Sequence, residues 1–464
     1  MNREWARAKW KTLALGVALV AAVAVVGVHA FDRSPAPTVA APPPDFGRVP
    51  DRAWILDVGT LSDDDTHVLL AAPYTLSEYY GYGSPITTSS SIVAALGTPG
   101  PGGVGDGREV ADVTLVGVDV ADGSPLWHTA VGQIDQCSAP ARGVVLACWS
   151  ARRVAFVDSV SGEAIGSADV DFDIDDVKTA GDDVFVSGTV LPPDGRDDVR
   201  TPVLTRGTVD DTDAVYRRDF ESLGHYSYAQ SFPVRGLTTV GTSNTLAGPA
   251  VTRVVDSATG ESLFAYAAES SSPVSSNIVR AQNGVRAGLI GTEELLDRSG
   301  ATVAGVAIPS SSALTYVGAR GDDSRPLFLG DGAYDAETGA ELWRNPDMII
   351  RESGGPTSAV KAVVDQTIIV TSPDTRTITG IDVTTGERRW QTPWQDAYWV
   401  REGATDGNYY VFGDYTGMHA IRAADGAVVW SLPLPAGADP REVRVGGAAG
   451  RLSIAWRDQF TVYR

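Results

Sequence analysis

Histidine, cysteine and methionine are scarce in this chain of 464 residues, which holds five, two and three of them. The histidines, His29, His67, His128, His225 and His419, lie far apart, so no metal-ligand motif can be read. Cys137 and Cys148 have no Cys or His neighbour, which argues against structural zinc. No two cysteines are adjacent, and none sits in a haem-attachment motif. Nucleophile elbows and phosphate loops are absent as well. Gly102-Gly103-Val104-Gly105 lacks the strand-to-helix setting that a phosphate cradle needs. Helical periodicity is missing after residue 31. Basic residues are the minority, and the net charge is −21. The first eleven residues balance to +3, so the remainder carries −24 and disfavours nucleic acid as a partner.

What recurs is one short phrase. Asp119 is followed four residues on by Gly123 and eight on by Trp127. The frame returns as Asp335, Gly339, Trp343, as Asp382, Gly386, Trp390, and with Phe as Asp256, Gly260, Phe264. Looser copies are Asp158, Gly162, Gly166, then Arg422, Gly426, Trp430, and the shortened Asp297 to Gly300. Each copy lies between two apolar, β-prone stretches. That pattern is a strand, a tight turn with Gly where φ is unusual, and a second strand ending in a large ring. Successive copies are 38 to 47 residues apart, apart from a gap of 98 after Asp158 that leaves room for a degenerate copy near Leu204 to Tyr216. Four strands per unit at this period is the propeller range. The expected fold is all-β: a propeller of four-stranded antiparallel blades, eight by preference, with seven or nine also compatible. A half-unit from Leu452 to Tyr463 is expected to pair with Trp54 to Val58 and close the ring.

The amino terminus sets the expected compartment. Thr12 to Phe31 is a run of twenty residues free of acids and bases except His29. At 1.5 Å per residue that run would span a bilayer. Residues 1–11 are then a basic cytoplasmic segment, 12–31 a transmembrane anchor or signal, 32–49 a Pro/Ala-rich linker, and 50–464 the propeller outside the cytoplasm. No cysteine lies near residue 30, so a lipoprotein anchor is excluded. Outside the cytoplasm, Cys137 and Cys148 are expected to form a disulfide across a hairpin.

Leu115-Val116-Gly117-Val118-Asp119 through Trp127, and Ile378 to Trp390, resemble the repeats of pyrroloquinoline-quinone-like (PQQ-like) β-propellers, over essentially residues 50–464. That family holds quinoprotein alcohol dehydrogenases and non-enzymatic scaffolds alike. The resemblance implies that Trp127, Trp343, Trp390 and Trp430 dock between neighbouring blades. It does not supply the adjacent cysteines or active-site insertions of the dehydrogenases. The resulting expectation is a membrane-anchored, extracytoplasmic scaffold that binds a protein and carries no catalytic, cofactor or metal residues. A PQQ- and calcium-dependent oxidoreductase is the alternative, and cell-wall polysaccharide binding or hydrolysis is a second.

Three stretches are expected to decorate one face of the ring. Pro73 to Asp112 contains Tyr74, Tyr79, Tyr80 and Tyr82. Leu191 to Arg200 occupies the same slot in a later blade, and Arg217 to Arg235 brings Tyr226 and Tyr228. Tyr with Gly and Ser is a recognition composition, so these tyrosines are the candidate binding face. Asp171-Phe172-Asp173-Ile174-Asp175-Asp176 lacks the Gly and Glu of a calcium loop and reads as a strand with an acidic exposed face.

Overall fold

A computed structural model divides the chain into two units, Met1–Pro43 and Pro44–Arg464. The structure describes residues 45–464 except 57, 63–67, 71–85, 89–90, 99–109, 141, 192–199, 222–226, 233–234, 243–250, 268–269, 284–289, 310–316, 319–325, 349–358, 402, 435–437, 439, 441–442, 449 and 457–458.

Among the described residues the second unit is nine sheets, most of four strands and antiparallel throughout except for one added strand. In chain order, blade 1 is Val68–Leu70, Ser91–Thr98, Val110–Asp119 and Pro125–Ile134. Blade 2 is Gln136–Ser138, Val145–Ser150, Arg153–Asp158 and Ala164–Asp169. Blade 3 runs from Asp173–Ala180 to Tyr216–Asp219, blade 4 from Ser227–Phe232 to Ser262–Ala267, and blade 5 from Ser270–Pro273 to Thr302–Pro309. Blade 6 shows three strands, Leu327–Leu329, Gly332–Tyr334 and Glu341–Arg344. Blade 7 runs from Ala359–Val364 to Arg388–Pro393 and takes Val317–Gly318 as a parallel fifth strand. Blade 8 runs from Gly403–Thr405 to Val428–Leu432. Blade 9 joins the chain ends: Arg444–Ala448, Arg451–Trp456 and Gln459–Tyr463, with Arg52–Leu56 as its outer strand.

Strand composition follows position in the blade. Thr367–Ser372, the second strand of blade 7, is β-branched at five of six residues and buried at five of its six positions. The outer strand Arg388–Pro393 instead exposes four of its six residues, with Arg389, Gln391 and Pro393 alternating as an edge facing water on one side should.

Every boundary between neighbouring sheets has its own apolar cluster. Val93, Trp127 and Leu146 join blades 1 and 2; Phe156, Phe172 and Val186 join 2 and 3; Leu204, Tyr216 and Val240 join 3 and 4. Leu237, Val254 and Val279 join 4 and 5, Leu295 and Leu329 join 5 and 6, and Phe328, Trp343 and Val360 join 6 and 7. Ile369 and Tyr410 join 7 and 8, Trp430 and Val445 join 8 and 9, and Leu56, Ile92 and Phe460 join 9 back to 1. The succession of sheets therefore closes on itself as a nine-bladed propeller.

Two expectations are corrected. The preferred count of eight becomes nine because the chain ends build a whole blade, not a half-unit. The strand overlooked was Arg444–Ala448, whose Gly446-Gly447 pair weakens its β signature. Nor is an N-terminal transmembrane helix shown. Among the described residues no helix is long and apolar enough to cross a membrane, and 12–31 lies outside them.

Pro73 to Asp112 is not one loop, because Ser91–Thr98 interrupts it with seven consecutive buried residues. The part before Ser91 ends opposite Asp119, at the end of the blade that carries the Asp-Gly turn. Thr98 and Val190, the ends of the second strands of blades 1 and 3, lie at the other end of their blades, and residues 99–109 and 192–199 lie outside the described residues.

Cys137 and Cys148 are disulfide-bonded and stand directly opposite each other in blade 2. Replacing both with Ser should cost about 3 kcal/mol by the loop-entropy relation, read as a lowered urea midpoint. An unchanged midpoint would show that this crosslink does not constrain the unfolded chain.

Candidate functional site

The repeated phrase builds a socket, best seen in blade 7. Asp382 Oδ1 accepts the N–H groups of Thr384 at 2.9 Å and Thr385 at 3.0 Å, and Gly386 N–H donates to the Asp382 carbonyl at 2.9 Å. An Asp side chain that mimics backbone in this way fixes the turn. Gly386 has φ +73°, and a Cβ there would lie 2.4 Å from the Trp343 ring. The indole of blade 6 therefore rests on the bare Gly of blade 7. Trp343 Nε1–H donates to the Val383 carbonyl at 2.9 Å, one residue past the turn Asp.

The same seat recurs around the ring with changed parts. Trp390 lies on Gly426 and donates to the Ala423 carbonyl at 2.7 Å. Trp54 lies on Gly123 and donates to the Val120 carbonyl at 3.0 Å. Phe264 covers Gly300, which lets that seat form without a donor. Tyr216 covers Gly260 and sends its hydroxyl to the Ser257 carbonyl at 3.0 Å, the equivalent acceptor. Burying such a ring contributes roughly 2–3 kcal/mol.

Trp127 and Trp430 depart in opposite ways. Trp127 lies on Gly162, but its buried Nε1 has no partner, so this contact is apolar. The equivalent carbonyl, that of Ser159, accepts the Ser91 hydroxyl at 3.3 Å. Trp430 has no turn to meet in blade 9, whose outer strand comes from the chain start. Its Nε1–H donates to the Phe46 carbonyl at 2.8 Å, while Phe46 N–H donates to Asp406 at 2.8 Å. The incoming chain thus stands in for the missing turn. Arg422, which replaces the turn Asp in blade 8, still accepts Gly426 N–H on its carbonyl at 2.9 Å and pairs with Asp425 at 3.0 Å.

A second latch escaped the sequence reading. Two residues past the ring, Asn345 donates to the Gly386 carbonyl at 2.6 Å and Thr392 to the Gly426 carbonyl at 2.9 Å. Thr129 donates to the Gly162 carbonyl in the same way. The signal was a Thr or Asn at the second position after Trp, in the same frame.

The tyrosines of the expected binding face are mostly beyond description. Tyr74, Tyr79, Tyr80, Tyr82 and Tyr226 lie outside the described residues, and Tyr228 falls on the innermost strand of blade 4. The disulfide lies inside the core between blades 1 and 2, not over an open face. Among the described residues no group of three or more His, Cys, Asp or Glu side chains could hold a metal ion.

The acidic run is a strand, but not one with an exposed acidic face. The register shifts between Ile174 and Asp176, so Asp175 stands on a bulge. Its Oδ2 is buried without a partner. Burial first, then the nearby charges of Asp173 and Asp176, push this carboxyl up to about 7 against the pull of Arg200.

Residues 301–464 match the family model described as outer membrane protein assembly factor BamB. The resemblance to PQQ-like propellers is borne out over those residues. No curated protein matches the chain. Among solved structures, BamB from Moraxella catarrhalis is 12% identical, covering 90% of this chain and 98% of its own, with a TM-score of 0.43. A europium-containing methanol dehydrogenase is 11% identical, with coverages of 88% and 84% and a TM-score of 0.41. Sqt1 of Saccharomyces cerevisiae is 10% identical, with 89% and 99% covered and a TM-score of 0.43. Scores this low carry no argument, and the architecture rests on the strand pairing above.

Trp343→Ala should lose about 3–5 kcal/mol, seen as a lower urea midpoint, while Trp343→Phe should lose only about 1 kcal/mol. Equal losses would mean that the ring does not fill its seat. Asp175 gives a pH signature. Its raised folded-state value favours the fold fully below about pH 4, the ordinary carboxylate range, and that advantage is lost as pH rises through 7. Asp175→Asn should remove this decline from a plot of melting temperature between pH 4 and 7. A parallel decline in the variant would contradict the assignment.

Proposed function

We propose that this chain is an extracytoplasmic propeller that binds a protein partner and serves as a scaffold, without a cofactor. The observation that carries the reading is the closed ring of packed blades. An apolar cluster fills every boundary and an aromatic ring fastens seven of the nine, which makes a frame able to carry recognition loops. The match of residues 301–464 to an assembly-factor model supports the same reading. The disulfide supports a location outside the cytoplasm. The partner contacts the Tyr-rich segment between Leu70 and Ile86. Rigid aromatic side chains give large contact area at low entropic cost.

The test replaces residues 71–85 with a short Gly/Ser linker and keeps Ser91–Thr98, which belongs to the core. A matching replacement of 99–109 serves as the comparison. Full-length proteins are then used to capture partners from cell-envelope extracts. The first variant should lose its partner and melt within a few degrees of the parent, while the second keeps it. Capture that is indifferent to the first change would overturn the assignment of the surface. Dye-linked alcohol oxidation after adding PQQ and calcium would overturn the scaffold reading itself.

A further inference from the structure

Blade 8 carries a side-chain relay that the scaffold does not use. Its third strand, Met418–Arg422, places His419 directly opposite Ser431 of the outer strand Val428–Leu432. His419 Nδ1 lies 2.8 Å from Ser431 Oγ, and His419 Nε2 lies 3.0 Å from Asp414 Oδ1. The Asp and His side chains are almost wholly buried, at 1% and 8% exposure, whereas Ser431 is exposed.

The hydrogen bonds fix the direction of the relay. Asp414 accepts Trp394 Nε1–H at 2.9 Å, the hydroxyl and N–H of Thr416 at 2.7 Å each, and Gly417 N–H at 3.1 Å. Burial opposes its charge, but the hydrogen bonds from His419 and Thr416 prevail and hold the carboxyl down to about 2. It is therefore a carboxylate at neutral pH and can only accept. Thr416 Oγ1, 3.0 Å from the same nitrogen, already gives its proton to Asp414 and can also only accept. The neutral imidazole of His419 then carries its proton on Nε2, which turns the Nδ1 lone pair toward the Ser431 hydroxyl. Trp394 stands edge-on over the imidazole at 4.9 Å and shields it from water. An exposed hydroxyl, a base with its lone pair on that hydroxyl, and a buried anion behind the base are the parts of an activated nucleophile.

We propose that Ser431, His419 and Asp414 form a nucleophilic site that accepts the acyl group of an activated ester, an activity separate from partner binding. Ser431 Oγ attacks the ester carbonyl as its proton passes to His419 Nδ1. The bond to the leaving oxygen breaks, and that oxygen departs with the proton from His419. Water, activated by the same nitrogen, then releases the acid and restores Ser431. The N–H groups of Thr416 and Gly417 are spent on Asp414 and cannot steady an oxyanion. The donor must therefore have a leaving group as good as a phenolate.

The test uses a fluorophosphonate probe on the full-length chain, with adducts located by mass spectrometry. Attack by Ser431 Oγ on phosphorus expels fluoride and leaves a stable adduct. Ser431 should label at least about a hundredfold faster than exposed Ser124 of the same molecule, the usual scale of general-base assistance. His419→Gln should reduce Ser431 to the Ser124 rate, and Ser431→Ala should abolish 4-nitrophenyl acetate turnover. Equal labelling of Ser431 and Ser124 in the parent protein would overturn the proposal and leave the relay as a cross-strand lock. That comparison needs no variant to fold.

Discussion

A flat ring laid on a bare glycine is the contact from which the rest of this protein follows. A four-stranded sheet of this kind buries its inner strands but leaves an outer edge and two faces to cover. The solution here is reciprocal. Seven of the nine outer strands lend a ring to the following blade, those of blades 2 and 5 having none, and the turns of blades 1, 2, 4, 5, 7 and 8 offer the preceding ring a glycine without Cβ. Gly386 and Gly162 show why no other residue fits: both combine a positive φ with an indole in the space a Cβ would take. The turn Asp serves the same end by holding the carbonyl that the indole meets.

The seat tolerates substitution in one half because the other half persists. Tyr216 reaches the same acceptor with a hydroxyl, and Phe264 keeps the stacking with no donor at all. Arg422 loses the Asp side chain yet keeps the backbone bond of the turn. Blade 9 is the extreme case, since no covalent turn exists there. The chain start supplies Phe46 as acceptor and Arg52–Leu56 as edge strand, and backbone bonds between Asp51 and Arg464 at 3.0 and 2.8 Å bring the two ends together. Closure of the ring is thus the same interaction made between the ends of the chain.

What could be read from sequence was whatever repeats. Asp, Gly and Trp in one frame pointed to blades and to the turn, because each residue type is demanded by local geometry, while docking by Trp343 and Trp390 was what the resemblance to PQQ-like propellers implied. The second latch was missed, although Thr129, Asn345 and Thr392 keep the frame as well. The blade count was not, because Arg444–Ala448 has weak β character and becomes a strand only through its neighbours. The run Pro73 to Asp112 hid a buried strand behind the Gly- and Pro-rich stretch that follows it. The acidic run at Asp175 alternated as a strand should, yet one bulge turned an expected exposed carboxylate into a buried one. The relay in blade 8 left no motif, since Asp414, His419 and Ser431 meet only through strand pairing.

The claim that blades are clasped by indoles seated on their neighbours is tested most directly by hydrogen exchange at the indole nitrogens, followed by NMR in the folded protein. Trp54, Trp343, Trp390 and Trp430 each donate to a backbone carbonyl of the adjoining blade or of the chain start. Their Nε1 protons should exchange orders of magnitude more slowly than a free indole and should lose protection together when the protein unfolds. Exchange of those four protons at the rate of a free indole, with the strands still protected, would contradict the account.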